Sequence, residues 1–190
     1  METALRREPS MNSRRIFVLL AYLLAAPLAG AQSLNEIVNF REYSESFASA
    51  GQPTEEQFEL IRDAGYDRVV YIAFSTDRDA IAGEDRLVRD LGMDYVQIPV
   101  VWSAPTAADF ESFAAVMRQE PSKKTLLHCQ VNFRASAFAF LYRVLEQGVP
   151  IADAKADMES VWQPNDTWRA LIFDVLEAHD VAPECAGCDW

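Results

Sequence analysis

Histidine occurs only twice in these 190 residues, as His128 and His179, and cysteine only three times. A structural zinc site needs about four such ligands, so a metal centre is not expected, and no cofactor is either. Basic residues are also scarce. Lys and Arg number 17 against 29 Asp and Glu, a net charge of −12. Such a surface repels nucleic acid and anionic membranes and does not draw in polyanionic substrates from a distance. Any anion site must be local, built from backbone N–H groups and one or two arginines. After residue 31 no apolar run approaches the roughly 20 residues of a membrane span. Internal repeats and low-complexity segments are absent.

What is present begins with a leader. Arg14 and Arg15 precede an uncharged run from Ile16 to Ala31 that ends in the small residues Ala29-Gly30-Ala31. This predicts a secretory signal peptide over residues 1–31, started at Met11. The mature chain is then exported, periplasmic in a cell with two membranes and secreted otherwise, with no membrane contact after cleavage. Without the leader, 13 basic residues face 27 acidic ones, a net charge of −14. Residues 32–180 suffice for one domain. Residues 181–190 form a tail with Cys185-Ala186-Gly187-Cys188. In an oxidising compartment Cys185 and Cys188 are expected to pair, leaving Cys129 free.

Along the domain, Leu34 to Phe40 reads as a short helix or strand. Gly51-Gln52-Pro53 is a turn, and Thr54 with Gln57 forms a capping box for a helix over about 55–64. Arg68 to Phe74 is a β-rich run that fits a strand buried on both faces. Ser75 to Asp79 reads as a polar turn. A helix follows over roughly 80–91, then a strand over 95–101, with Pro99 confined to a strand end or an edge. Thr106 and Asp109 form another capping arrangement, and Phe110, Phe113, Ala114 and Met117 mark a helix face to about Gln119. Residues 125–128 form a strand, and a helix starts at about Arg134. Two more helices are expected near 151–161 and 167–179, with Trp162, Trp168, Phe173 and Leu176 packed in the core. Strands alternating with helices predict a three-layer α/β domain with a mostly parallel central sheet. Ligands in such folds bind beyond the C-terminal ends of the strands.

Cys129 falls at that end of the strand 125–128. The stretch His128-Cys129-Gln130-Val131-Asn132-Phe133-Arg134-Ala135-Ser136 reads as strand, tight loop and helix. A cysteine there sits at the positive end of a helix and beside a fixed cation. Both attract an oxyanion, and electropositive surroundings make a thiol nucleophilic. Curling of Gln130, Val131, Asn132 and Phe133 would bring their N–H groups to one point, an anion nest. Arg134 can add two parallel charge-assisted bonds. His128 points away from Cys129 along the strand and is expected to orient the loop, not to take the proton. Asn132 can hold the loop by side-chain to backbone bonds, and Ser136 can donate toward the sulfur.

The His128-Cys129 pair followed by Arg134 resembles the signature of the protein tyrosine and dual-specificity phosphatase superfamily. The Gly51-Gln52-Pro53 turn, the helix after it and the strands from 68 and 95 resemble a bacterial branch of that superfamily. That branch was formerly classed as a domain of unknown function, and its members are also labelled sulfur transferases. The resemblance spans about residues 34–146. It implies a phosphatase-like fold with Cys129 as nucleophile, Arg134 as phosphate clamp and an aspartate on a neighbouring loop as leaving-group acid. The loop Trp102 to Thr106 holds no carboxylate, so Asp109 is the first candidate for that acid and Asp166 the second. The loop between Cys129 and Arg134 is one residue shorter than the superfamily's usual one and has no glycine. Ala135 stands where Ser or Thr is usual. The shorter loop resembles that of rhodanese-like sulfurtransferases, where the cysteine carries a persulfide.

Three functions follow in order of expectation. The first is hydrolysis of a phosphomonoester, on a small molecule or a phosphoprotein, through a cysteinyl-phosphate. The second is sulfur transfer through a Cys129 persulfide. The third is a non-catalytic oxyanion-binding or interaction module.

Overall fold

The computed structural model describes residues 33–185 and 188–190. The leader expected over residues 1–31 lies outside them. A 3-10 turn at Leu34–Glu36 opens the described chain. It is followed by β1 (Arg41–Ser44), β2 (Phe47–Ala50), α1 (Glu55–Asp63), β3 (Arg68–Tyr71), α2 (Glu84–Asp90) and β4 (Asp94–Gln97). Then come α3 (Ala107–Gln119), β5 (Thr125–His128), α4 (Phe133–Leu145), α5 (Ile151–Glu159) and α6 (Asp166–Ala178).

The five strands lie in the order β1-β2-β5-β3-β4. Only β1 runs antiparallel, to β2; the other pairings are parallel. The expected α/β class with a mostly parallel sheet is therefore observed. The β1–β2 hairpin adds two strands that residue pattern alone did not predict. After Phe47, the residues Ala48, Ser49 and Ala50 are small and of weak strand preference, and pairing with β5 decides their conformation.

Successive residues of the central strands enter opposite cores, as the two-residue period of a strand requires. Val70, Leu127 and Phe47 face a large core built with α3, α4, α5 and α6, where Phe110, Phe113, Phe138 and Trp168 are fully buried. Val69, Leu126 and Ala48 face a smaller core with Phe58 and Ile61 of α1 and Val88 of α2. Helices thus cover both faces, and β5 is central in each direction.

Two helices begin with complete reciprocal capping boxes, Thr54 with Gln57 at α1 and Thr106 with Asp109 at α3. Helix α2 starts later than the expected residue 80. Gly83 at its N-cap has φ 79°, a left-handed conformation that side chains resist, and the helical hydrogen bonds run only from there. Strand β4 lies at the sheet edge and stops before Pro99, both places where a missing N–H is tolerated.

Candidate active site

Strand β5 is paired with β2 on one side and β3 on the other, so His128 ends in the middle of the sheet. The backbone N–H of Cys129 still donates to the Ala50 carbonyl, at 3.3 Å. The chain then leaves the sheet and turns through Gln130, Val131 and Asn132 into α4. Contacts from neighbouring segments fix this loop. The Gln130 carbonyl accepts from the Gln52 N–H at 2.9 Å. The Val131 carbonyl accepts from Asn39 Nδ2 at 3.0 Å, and Asn132 Nδ2 donates to the Asn39 carbonyl at 2.6 Å. Asn132 has φ 69°, a conformation that asparagine tolerates better than most side chains. Gly51 allows the close approach: a Cβ there would stand 2.8 Å from the Gln130 carbonyl oxygen and 2.8 Å from Val38 Cβ.

With these carbonyls bonded to neighbouring segments, the N–H groups of Gln130 and Val131 donate to no acceptor among the described residues. Helix α4 then begins without a side-chain cap: Asn132 Nδ2 is turned to the Asn39 carbonyl, and its Oδ1, the atom that could cap, meets no donor among the described residues. Its first-turn N–H groups remain open donors at the positive end of the helix.

A cavity of 220 Å³ lies over this loop, lined by Trp102, Cys129, Gln130, Val131, Phe133 and Arg134. Cys129 is a free thiol, only 1 % exposed, at its floor. Arg134 is 7 % exposed, and its Nε is buried without a hydrogen-bond partner. Its guanidinium faces the Trp102 ring at 5.8 Å from the centroid. Phe133 stacks on Trp162 at 4.9 Å with the rings nearly parallel, and Trp102 packs against both Trp162 and Trp168. Trp168 and Leu176 are core residues as expected, whereas Trp162 backs the aromatic wall of this cavity.

The carboxylate beside Arg134 is Asp77, with Oδ2 3.6 Å from the guanidinium. Asp77 lies on the loop after β3, in the stretch read as a simple polar turn. Its position depends on how that loop folds back over the end of β5, which no local pattern records. Asp109, the first candidate acid, is committed elsewhere. Its carboxylate accepts from the Thr106 N–H at 2.9 Å and from the Thr106 hydroxyl at 2.8 Å, closing the cap of α3. Asp166 is exposed in the first turn of α6 and pairs with Arg169. Neither lines the cavity; Asp77 is also outside its lining and adjoins it through Arg134.

Ser136 also differs from expectation. Its hydroxyl donates to the Phe133 carbonyl at 3.1 Å and accepts from Trp162 Nε1 at 3.1 Å, so it braces the first turn of α4 and does not point its proton at the sulfur. His128 lies on the opposite face of β5 from Cys129. It is fully buried, stacks on Tyr71 at 4.7 Å and meets the Phe58 edge at 5.9 Å. Its Nε2 is 3.1 Å from Glu84 Oε1, and Gln52 Nε2 donates to the other Glu84 oxygen. Gln52 also holds the Gln130 carbonyl, so His128, Glu84 and Gln52 support the loop from behind. Burial pushes the Tyr71 and Tyr95 hydroxyls upward from the ordinary phenol range, and the Glu84 charge adds to the push.

Cys185 and Cys188 are bonded to each other, and Trp190 beyond them packs edge-on against Phe140 and Phe173. Among the described residues no group of three or more His, Cys, Asp and Glu side chains could hold a metal ion. No described helix is long and apolar enough to cross a membrane.

The family model described as DSP-PTPase phosphatase fused to NAD+ kinase matches residues 27–169. The chain belongs to this phosphatase family. It thereby falls in the protein tyrosine and dual-specificity phosphatase superfamily, with a bacterial DUF442-type branch among its relatives. A DUF442 protein of Shewanella putrefaciens CN-32 is 36% identical. The match covers 77% of this chain and 96% of the Shewanella chain, with a TM-score of 0.71. TpbA of P. aeruginosa shares 17% identity over 72% of this chain and 84% of its own, with a TM-score of 0.59, a likeness of fold. No curated protein matches the chain.

Proposed function

We propose that this family member hydrolyses a phosphomonoester through Cys129. One observation carries the reading: a free thiol, a buried guanidinium with an unsatisfied Nε and open backbone N–H groups share a single 220 Å³ cavity at the C-terminal edge of the sheet. The phosphoryl oxygens would take the N–H groups and the Arg134 fork, which suits a planar, bidentate partner better than lysine would. The thiolate attacks phosphorus, and an S–P bond forms as the ester P–O bond breaks. Asp77, beside Arg134, gives its proton to the leaving oxygen. Water then attacks the cysteinyl-phosphate, returns a proton to Asp77 and releases phosphate.

The purified protein should release phosphate from an aryl phosphate, and Cys129→Ser should lower the rate by at least about 10³-fold. Unchanged turnover in that variant would remove Cys129 from the mechanism.

The short four-residue loop between Cys129 and Arg134 favours a second reading, sulfur transfer through a Cys129 persulfide. A smaller ring of donors suits a smaller bound group. Thiosulfate should then add the mass of one sulfur at Cys129, and cyanide should remove it as thiocyanate. Asp77 beside Arg134 favours the phosphatase reading, because a sulfur carrier has no need of a leaving-group acid. Export to the periplasm or medium belongs to the same proposal, and N-terminal sequencing of the mature protein tests the cleavage after Ala31.

A further inference from the structure

We propose, resting on the phosphatase reading, that the substrate of this site is a phosphopeptide with a lysine or arginine next to its phosphorylated residue. A second cavity of 560 Å³ adjoins the thiol cavity and shares Gln130 and Val131 with it. Three carboxylates line this vestibule: Glu55, Glu56 and Asp79. No lysine or arginine lines it, and Arg134 is the single cation lining the thiol cavity.

Glu55 and Glu56 are exposed in the first turn of α1, where the helix dipole favours acids. That accounts for their tolerance, not for the arrival of Asp79 from a different loop on the same wall. Asp79 is paired with Arg78, which is 91 % exposed, so its charge is partly offset. Glu55 and Glu56 make no ion pair among the described residues.

The two cavities divide a ligand between them. The buried Arg134, with its unpartnered Nε, fixes the anionic end in the thiol cavity. Cys129 is recessed at 1 % exposure, so the phosphate must arrive on an extended side chain. Beyond the ridge formed by Val131, which is 40 % exposed, whatever accompanies the phosphate meets carboxylates. A second anionic group there is repelled and a cation is held. The vestibule is the larger of the two spaces and shares Gln130 and Val131 with the thiol cavity, which fits a neighbouring residue of a peptide.

The test compares two short phosphotyrosine peptides that differ only in lysine or glutamate flanks. The full chain should show kcat/KM about tenfold higher for the lysine peptide at low salt, as expected for two or three exposed charge pairs. The ratio should fall toward one at high ionic strength. In Glu55→Gln/Glu56→Gln the ratio should drop below about twofold. Because the readout is a ratio within one preparation, a change in overall activity does not mimic it. A ratio near one in the wild type, or a lysine preference that survives the double substitution, would overturn the proposal. Phenyl phosphate separates this proposal from the one beneath it. If phenyl phosphate and both peptides remain intact, the phosphatase reading fails. Equilibrium binding of the same two peptides then decides the charge preference: tighter binding of the lysine peptide upholds it, and equal or absent binding overturns it.

Discussion

Helices α3 and α4 start in opposite ways. At α3, Thr106 and Asp109 close a reciprocal capping box in which each accepts from the other's backbone N–H, and the Asp109 carboxylate is held on the helix end. At α4, Asn132 turns its amide to residue 39 and leaves the first turn without a side-chain cap, beside a buried thiol and a buried arginine. Caps are ordinarily worth about 1 kcal/mol each. The same chain closes one helix and forgoes that stabilisation at the other, where open donors can be used on a ligand. The comparison also bears on Asp109, attractive on spacing alone: its carboxylate already serves a helix end.

Four substitutions test this contrast, from the largest effect to the smallest. Arg134→Lys keeps the charge but loses the planar fork at the open end. It should lower kcat/KM on an aryl phosphate by about 10²–10³-fold, measured by phosphate release. Asp77→Asn should lower kcat by about 10²-fold on phenyl phosphate and much less on an ester with a strongly acidic leaving alcohol. Equal losses on both esters would deny Asp77 the leaving-group role. Gly51→Ala forces a Cβ against the Gln130 carbonyl and Val38, and should cost about 1–3 kcal/mol in denaturant unfolding. Its activity should fall as well, because the loop must shift. Thr106→Ala opens the closed end and should cost about 1 kcal/mol of stability with kcat/KM preserved. A marked loss of turnover in Thr106→Ala would show that the two helix ends are not independent.

Much of this was legible in the chain itself. The continuous β-rich run from residue 68 and the Thr54/Gln57 and Thr106/Asp109 boxes speak through near neighbours; both boxes appear where expected, and the strand, buried on both faces as expected, spans Arg68–Tyr71 and stops short of Phe74. The strand end at Cys129 and the helix start near Arg134 follow from the same local rules. What was not legible depends on distant partners. Strand β2 carries three small residues after Phe47 and is a strand because β5 pairs with it. Asp77 meets Arg134 only after a loop folds across the sheet edge. Ser136 bonds backward to Phe133 and sideways to Trp162, a residue from the segment between α5 and α6.

The central position of β5 has a consequence in time. Its four residues pair with β2 on one side and β3 on the other, both far earlier in the chain. Closing such distant pairings is slow compared with forming a helix. The pocket over Cys129 therefore cannot exist until three remote segments have met. In a refolding experiment, helical signal should return first and catalytic competence last, so that activity reports completion of the whole sheet.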